Sequence, residues 1–264
     1  MRITGVEGRT AIVGGSSSGL GYAVAELLAC SGARVMVVSR SEERVNKAVE
    51  NIRAAGGREV EGCTADFTDE KAPAAVVAAT RAAFGAPEVV VTNSGGPPGM
   101  PAVTATAKDL QAASELLLLP VQRFAELTLP TMREAGWGRF VAITSIAVRE
   151  PLQGLVLSNA LRAAVTGYLK SISDEVAADG VTVNTVCPGY TATDRLGELA
   201  EMVAERDGLT VDEVFKGWTQ SVPVNRLLRP DEVAAAVGFL CSEQASGITG
   251  VALPVDGGLG RSLI

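Results

Sequence analysis

Short runs of β-branched residues recur along this chain, separated by longer stretches rich in alanine and leucine. The short runs are Thr10–Val13, Arg34–Ser39, Glu88–Thr92, Arg139–Thr144 and Val181–Val186, each bounded by Gly, Asn or Pro. Their length and side-chain types predict strands. They do not alternate cleanly between apolar and polar, which fits strands covered on both faces, as in a parallel sheet. The intervening stretches Leu20–Ser31, Glu42–Ala55, Glu70–Phe84, Leu110–Met132 and Leu152–Ala178 carry helix-compatible periodicity. Repeated β-α-β alternation with right-handed crossovers predicts an α/β fold, a doubly wound parallel sheet with helices on both faces. No composition break, linker or repeat divides the 264 residues, so a single domain over 1–264 is expected.

Composition removes several function classes. The chain contains no histidine, which excludes His-based triads, His metal ligands and His proton shuttles, and no metal site is expected. Thirty acidic against 23 basic residues give a net charge of −7, which disfavours nucleic acid and anionic membranes as bulk partners. Cys30, Cys63, Cys187 and Cys241 are widely spaced and form no CxxC pair, so they read as reduced and mostly buried. The opening MRITGVEGRT lacks the apolar core of a signal peptide, and no apolar run approaches the ~20 residues needed to span a bilayer. A cytoplasmic location is the expectation.

After the first run comes Gly14-Gly15-Ser16-Ser17-Ser18-Gly19-Leu20-Gly21, opening a helical stretch. A strand running through glycines into a helix N-terminus suits an anion, because small residues let a pyrophosphate approach backbone N–H groups along the helix dipole. The spacing is G-x-x-x-G-x-G over Gly15, Gly19 and Gly21. Turns use the same residues, so position after a strand and before a helix carries the reading.

This segment resembles the T-G-x-x-x-G-x-G motif of the short-chain dehydrogenase/reductase family, with Gly14 where Thr is usual. Three further segments follow in the family's order. Thr92-Asn93-Ser94-Gly95 resembles its N-N-A-G element, Pro188-Gly189-Tyr190-Thr191-Ala192-Thr193 its P-G-x-x-x-T element, and Val255-Asp256-Gly257-Gly258 its V-D-G-G close. The resemblance runs from about Gly8 to Leu259, nearest to the 3-oxoacyl-acyl-carrier-protein reductase-like branch. It implies a Rossmann-type sheet of about seven strands and a dinucleotide held by Gly15, Ser17, Ser18, Gly19, Leu20, Asn93, Ser94, Gly95, Pro188, Gly189, Thr191 and Thr193. It also implies that Asp66, with Phe67 beside it, meets the adenine; taken alone, Asp66 before Thr68-Asp69 reads as a turn or cap.

The second strand ends at Ser39-Arg40 with no acid before Glu42. A guanidinium there suits a 2′-phosphate, to which it donates two hydrogen bonds, so NADP(H) is favoured over NAD(H). Ser18 stands where NADP-preferring members often carry a second basic residue. The plainer reading of Arg40 is a surface loop cap.

In this family, catalysis uses Asn, Ser, Tyr and Lys. Anchored on Gly138–Ser145, the serine maps to Ser145, the tyrosine to Ser158 and the lysine to Arg162; counted back from Leu129-Pro130-x-Met132, the asparagine maps to Leu117. Ser158 and Arg162 share a helix face at i and i+4. Arg162 keeps a fixed charge near the ribose but cannot join a proton relay, and a serine hydroxyl is a far weaker acid than a phenol. Loss of a positioned general acid costs ~10²–10⁴ in rate. Tyr22 lies beside the phosphates and Tyr168 on another helix face. Tyr190, in the Pro-Gly loop, is the one alternative donor, and it reads more simply as pocket wall.

Between Arg195 and Asn225, apolar residues at helical intervals resemble the family's substrate lid, an insertion at about 191–225. A medium-sized, partly apolar small-molecule substrate follows, with Pro97, Pro98 and Gly99 as the opposite rim. The apolar runs 110–132 and 152–178 resemble the helices that pair family members into homodimers or homotetramers. Two functions stand at this point. One is an NADP(H)-dependent oxidoreductase acting on a carbonyl, alcohol or imine. The other is a catalytically silent dinucleotide-binding homologue, acting as sensor or partner subunit.

Overall fold

The structure, a computed structural model, describes residues 3–262. Seven strands, β1 (Thr10–Val13), β2 (Arg34–Ser39), β3 (Val60–Thr64), β4 (Val89–Thr92), β5 (Gly138–Ile143), β6 (Val181–Pro188) and β7 (Ala252–Val255), form one sheet. All pairs are parallel, in the order β3-β2-β1-β4-β5-β6-β7. This is the Rossmann-type doubly wound arrangement that the alternation of runs predicts. Its strand order reverses between β1 and β4, and ligands of such sheets bind in the crevice at that switch point.

The period of two along each strand sends alternate side chains to opposite layers. Ala11, Val13, Val35, Val37, Val89 and Val91 pack with α1 (Gly19–Cys30), α2 (Glu42–Ala54) and α9 (Pro230–Cys241). Ile12, Met36, Val38, Val90, Phe140 and Ala142 pack with α3 (Ala72–Phe84), α5 (Leu119–Glu134) and α6 (Val156–Val176) on the other face. Burying strands on both sides is what removes the apolar–polar alternation from their sequence.

Two helical stretches differ from expectation. The run 110–132 is not one helix but two, α4 (Ala107–Leu117) and α5, joined at Leu118. Pro120 in the first turn of α5 has no N–H to give and its ring clashes with the preceding turn, so the helix restarts there. The run 152–178 becomes helical only at Val156. Gly154 takes a positive φ of 73°, and Asn159 reaches back to bond both the N–H and the carbonyl of Leu152 at 3.3 and 2.9 Å. A turn clamped by a helical side chain therefore replaces the first helical turn.

The 191–225 excursion forms α7 (Asp194–Asp207) and α8 (Val211–Ser221), capped by Thr193 and by a Thr210–Glu213 capping box. Their shared apolar face consists of Ala200, Ala204 and Val214 with Val203, Phe215 and Trp218 around them. At the opposite, N-terminal end of β5 sits the buried Arg139, bonded to the carbonyls of Gly138, Gly180 and Ser242. The Arg139 and Arg9 guanidinium groups lie 4.3 and 3.9 Å from the ring of Trp137, whose indole N–H donates to Glu243. Among the described residues no helix is long and apolar enough to cross a membrane.

Candidate active site

At the switch point, the turn after β1 is braced by the segment after β4. The Gly14 N–H donates to the Val91 carbonyl at 2.9 Å, and the Asn93 amide donates to the Gly15 carbonyl at 3.3 Å. Gly21 packs so tightly on this turn that a Cβ would overlap the Gly15 carbonyl. Ser18 precedes α1 in extended conformation, yet its side chain does not cap the helix, and no acid lies in the first turn. Among the described residues the first amides of α1 thus have no side-chain partner, and no acid of the first turn counters the dipole. A cradle closed to any larger side chain, leading to an uncapped helix end, fits a pyrophosphate.

Ser16, which no motif singles out in the sequence, welds this region. Its hydroxyl donates to the Val13 carbonyl at 2.6 Å and accepts the Val38 N–H at 2.9 Å, tying the ends of β1 and β2 together. Ser17 donates to Ser39 at 2.8 Å, beside the exposed Arg40. Arg40 forms no ion pair among the described residues and leaves its fork open to a phosphate. Asp66 accepts from the N–H and hydroxyl of Thr68 at 3.0 and 2.8 Å, which, with the Arg40 charge, holds its carboxyl below the usual range. The ring of Phe67 turns inward, edge-on to Phe124 at 5.2 Å and close to Gly14, so only its backbone remains for an adenine. Leu20 is half-buried at the start of α1, and Ser94 and Gly95 continue the loop beyond Asn93.

On the β6 side, Pro188 pairs with Val255, and Thr191 bonds back to the Gly189 carbonyl at 3.1 Å. Thr193 caps α7 through the Leu196 N–H and lies against Gly19. The glycine loop, Asn93–Gly95 and the 188–193 loop therefore converge on one crevice, as their motifs require.

Beside it, the end of β5 meets α6. Ser145 follows the strand in extended conformation, and its Oγ accepts the Ala147 N–H at 3.1 Å. Arg162 donates from Nε to the Ser158 Oγ at 3.1 Å, and from Nη1 to the carbonyls of Ile143 and Thr144 at 3.2 and 3.0 Å. Its guanidinium thus ties α6 to the residues just before Ser145, while Nη2 makes no bond among the described residues. Burial, reinforced by the charge of Arg195, pushes the Arg162 pKa down to about 10, so it stays charged at neutral pH.

Behind Arg162 lies a small cavity of about 20 Å³, lined among others by Thr92, Asn93, Leu117, Phe124 and Thr144. That is room for one water. The Thr92 hydroxyl is buried there without a partner among the described residues, and Leu117 forms an apolar wall. Of the three tyrosines, Tyr22 bonds Glu26 and is pushed up to about 12, chiefly by burial. Tyr168 packs at the edge of the core, and burial raises its pKa too. Tyr190 stacks on Trp218 at 4.8 Å and 10°, with its pKa likewise raised by burial. Among the described residues no cluster of Cys, Asp or Glu could hold a metal.

A family model described as enoyl-(acyl carrier protein) reductase matches residues 15–260. The 3-oxoacyl-acyl-carrier-protein reductase of Vibrio cholerae is 33% identical over 96% of this chain and 98% of its own length. The 3-oxoacyl-acyl-carrier-protein reductase of Escherichia coli is 32% identical over 96% of this chain and 98% of its own. The crystal structure of L-sorbose reductase from Gluconobacter frateurii, complexed with NADPH and L-sorbose, superposes with a TM-score of 0.92 at 30% identity, covering both chains fully. The glycine cradle, the switch-point crevice and these likenesses agree: the chain belongs to the short-chain dehydrogenase/reductase family of oxidoreductases, in its 3-oxoacyl-acyl-carrier-protein reductase-like branch.

Proposed function

We propose that the protein is an NADP(H)-dependent reductase of a carbonyl compound, in which Ser145, Ser158 and Arg162 replace the tyrosine-centred chemistry of its family. Arg40 and the Ser17–Ser39 pair would hold the 2′-phosphate, and the NADPH-bound reductase among its structural neighbours supports that cofactor choice. When bound, NADPH supplies a hydride to the carbonyl carbon and leaves as NADP⁺.

The observation that carries this reading is the hydrogen-bond state of the two serines. The Ser145 Oγ accepts a backbone N–H, and the Ser158 Oγ accepts a guanidinium N–H. Each hydroxyl keeps its own proton for a further acceptor. As the C=O electron pair collects on oxygen, both serines donate to it, and the Arg162 charge polarises Ser158 and stabilises the negative oxygen. The proton that completes the alcohol comes from water, since Arg162 retains its own. The Nη2 group of Arg162 remains for the nicotinamide ribose. The 191–225 excursion closes the site as a lid over a medium-sized, partly apolar substrate, Tyr190 and Trp218 forming its wall. We assign the whole chain to one domain that works as a homodimer or homotetramer through the α4–α6 faces.

The test is titration with NADPH and NADH by cofactor fluorescence, followed by NADPH oxidation with ketones, 3-oxoacyl thioesters and cyclic imines. Tighter binding of NADPH with turnover of a carbonyl compound is expected. Turnover of imines alone would transfer the chemistry to a C=N bond, whose cationic form needs no proton on the reacting atoms. Tight binding with no turnover would make the protein a silent partner subunit or sensor, and no binding at all would overturn the cofactor assignment.

A further inference from the structure

Strand β1 stops pairing with β2 at the rung Val13–Val37, two residues before β2 itself ends at Ser39. The next residue, Gly14, turns the other way and donates its N–H to the Val91 carbonyl of β4. The end of β2 would stand loose on its β1 side if the chain did not come back to it, and Ser16 brings it back. The Ser16 N–H donates to the Val38 carbonyl at 3.0 Å. Its hydroxyl accepts the Val38 N–H at 2.9 Å and donates to the Val13 carbonyl at 2.6 Å. Ser16 is fully buried, so these bonds form away from competing water, and its side chain lies out of reach of any ligand. One serine thereby adds a rung beyond the end of the β1–β2 ladder.

The residues on either side of this clamp belong to the cofactor end. Ser17, next along the turn, donates to the Ser39 hydroxyl at 2.8 Å, and Ser39, next after Val38, leads into the exposed Arg40. From the far side Ser39 pairs with Thr64 and accepts the Ala65 N–H at 2.9 Å. Because Ser17 gives its proton to Ser39, the Ser39 proton is left for a phosphate oxygen. Residues 14–21 are Gly, Ser and Leu, so the glycine turn supplies no cation of its own. Telling apart two nucleotides that differ by one phosphate then depends on Arg40 and two hydroxyls standing at fixed spacing. A loose donor would lose freedom when the ligand arrives, and affinity with it.

We propose that Ser16 is a positioning residue for NADPH selection: by clamping Val38 to the glycine turn, it sets Ser17, Ser39 and Arg40 as one preformed site for the 2′-phosphate. This rests on the NADP(H) reading above. The bond from the Ser16 N–H survives loss of the side chain, so removing the hydroxyl should cost less than removing Arg40 itself.

The experiment measures the Kd of NADPH and of NADH by cofactor fluorescence in the wild type, Ser16→Ala, Arg40→Ala and the double variant. Ser16→Ala is expected to raise the NADPH Kd about fivefold and the NADH Kd less than about twofold. In the Arg40→Ala background the same substitution should add less than about twofold, because groups serving one site do not lose additively. Ser16→Cys, similar in shape and a weak donor, should fall between wild type and alanine, and it serves if the alanine variant does not fold. Equal weakening of both cofactors would overturn the proposal, since a structural role alone moves them together. So would additive losses in the double variant, or an unchanged ratio of the two Kd values in the Ser16 variants. A wild type that binds NADH as tightly as NADPH would overturn the cofactor choice, and the proposal with it, before any variant is made.

Discussion

At the β1–β4 end of the crevice, the groups that would meet a ligand are backbone amides and bare Cα atoms. At the β5–α6 end they are three side chains: Arg162 is held by Ser158 and by two strand-end carbonyls, and Ser145 by the Ala147 amide. The first kind of site depends on what is missing, a Cβ at Gly21 and a cap at Ser18. It tolerates little change, because any added atom meets backbone. The second kind depends on which functional groups are present, so a phenol and an amine can be exchanged for a hydroxyl and a guanidinium while the helix and strand that carry them stay in place. Binding and chemistry can therefore diverge at different rates within one crevice.

That contrast is open to direct attack. Replacing Arg162 by Leu strikes the side-chain end hardest, with kcat expected to fall about 10²–10³-fold while the NADPH Kd rises no more than about tenfold. Steady-state kinetics with a parallel fluorescence titration separate the two. The mirror experiment is Gly21→Val. Its side chain would displace the Gly15 carbonyl, so NADPH affinity should fall by about 100-fold or more, with circular dichroism checking that the fold survives. Arg40→Ala should raise the NADPH Kd about tenfold and leave NADH binding unchanged, because only one of them carries the 2′-phosphate.

The smallest effect is in the pH profile. Arg162 is a base whose pKa is lowered to about 10, so it is charged below that pH and neutral above it. Stabilisation of the negative oxygen should hold from about pH 6 to 9 and fade as pH rises through about 10. A profile breaking near neutrality would reveal a titrating proton donor, and the side-chain end would then work by general acid catalysis rather than by fixed charge.

The fold was legible because its signals are local. Strand-length β-branched runs and glycines at a strand–helix junction need only neighbours to be read. Failures of reading came where distant or single residues decide. Pro120 split a periodic stretch into α4 and α5, and Asn159 delayed α6 by holding Leu152. Ser145, Ser158 and Arg162 could be located by their spacing from Gly138–Ser145, yet the bonds of Arg162 to the Ile143 and Thr144 carbonyls span 19 and 18 residues. Ser16 carries no assignment in the sequence, where only Ser17 and Ser18 are given to the cofactor, and its contact across 22 residues to β2 is what gives it a role. Arg195 reaches Pro97 over 98 residues, and no periodicity carries such a pairing.

The chain has two tryptophans, and the structure gives them opposite circumstances. Trp137 is pinned by Arg9, Arg139 and Glu243 at the far end of β5, whereas Trp218 rides on α8 and lies over Tyr190. The protein thus carries its own optical gauge. Emission from the first is a constant background, and emission from the second follows every separation of the excursion from the Pro-Gly loop, in real time and without a label.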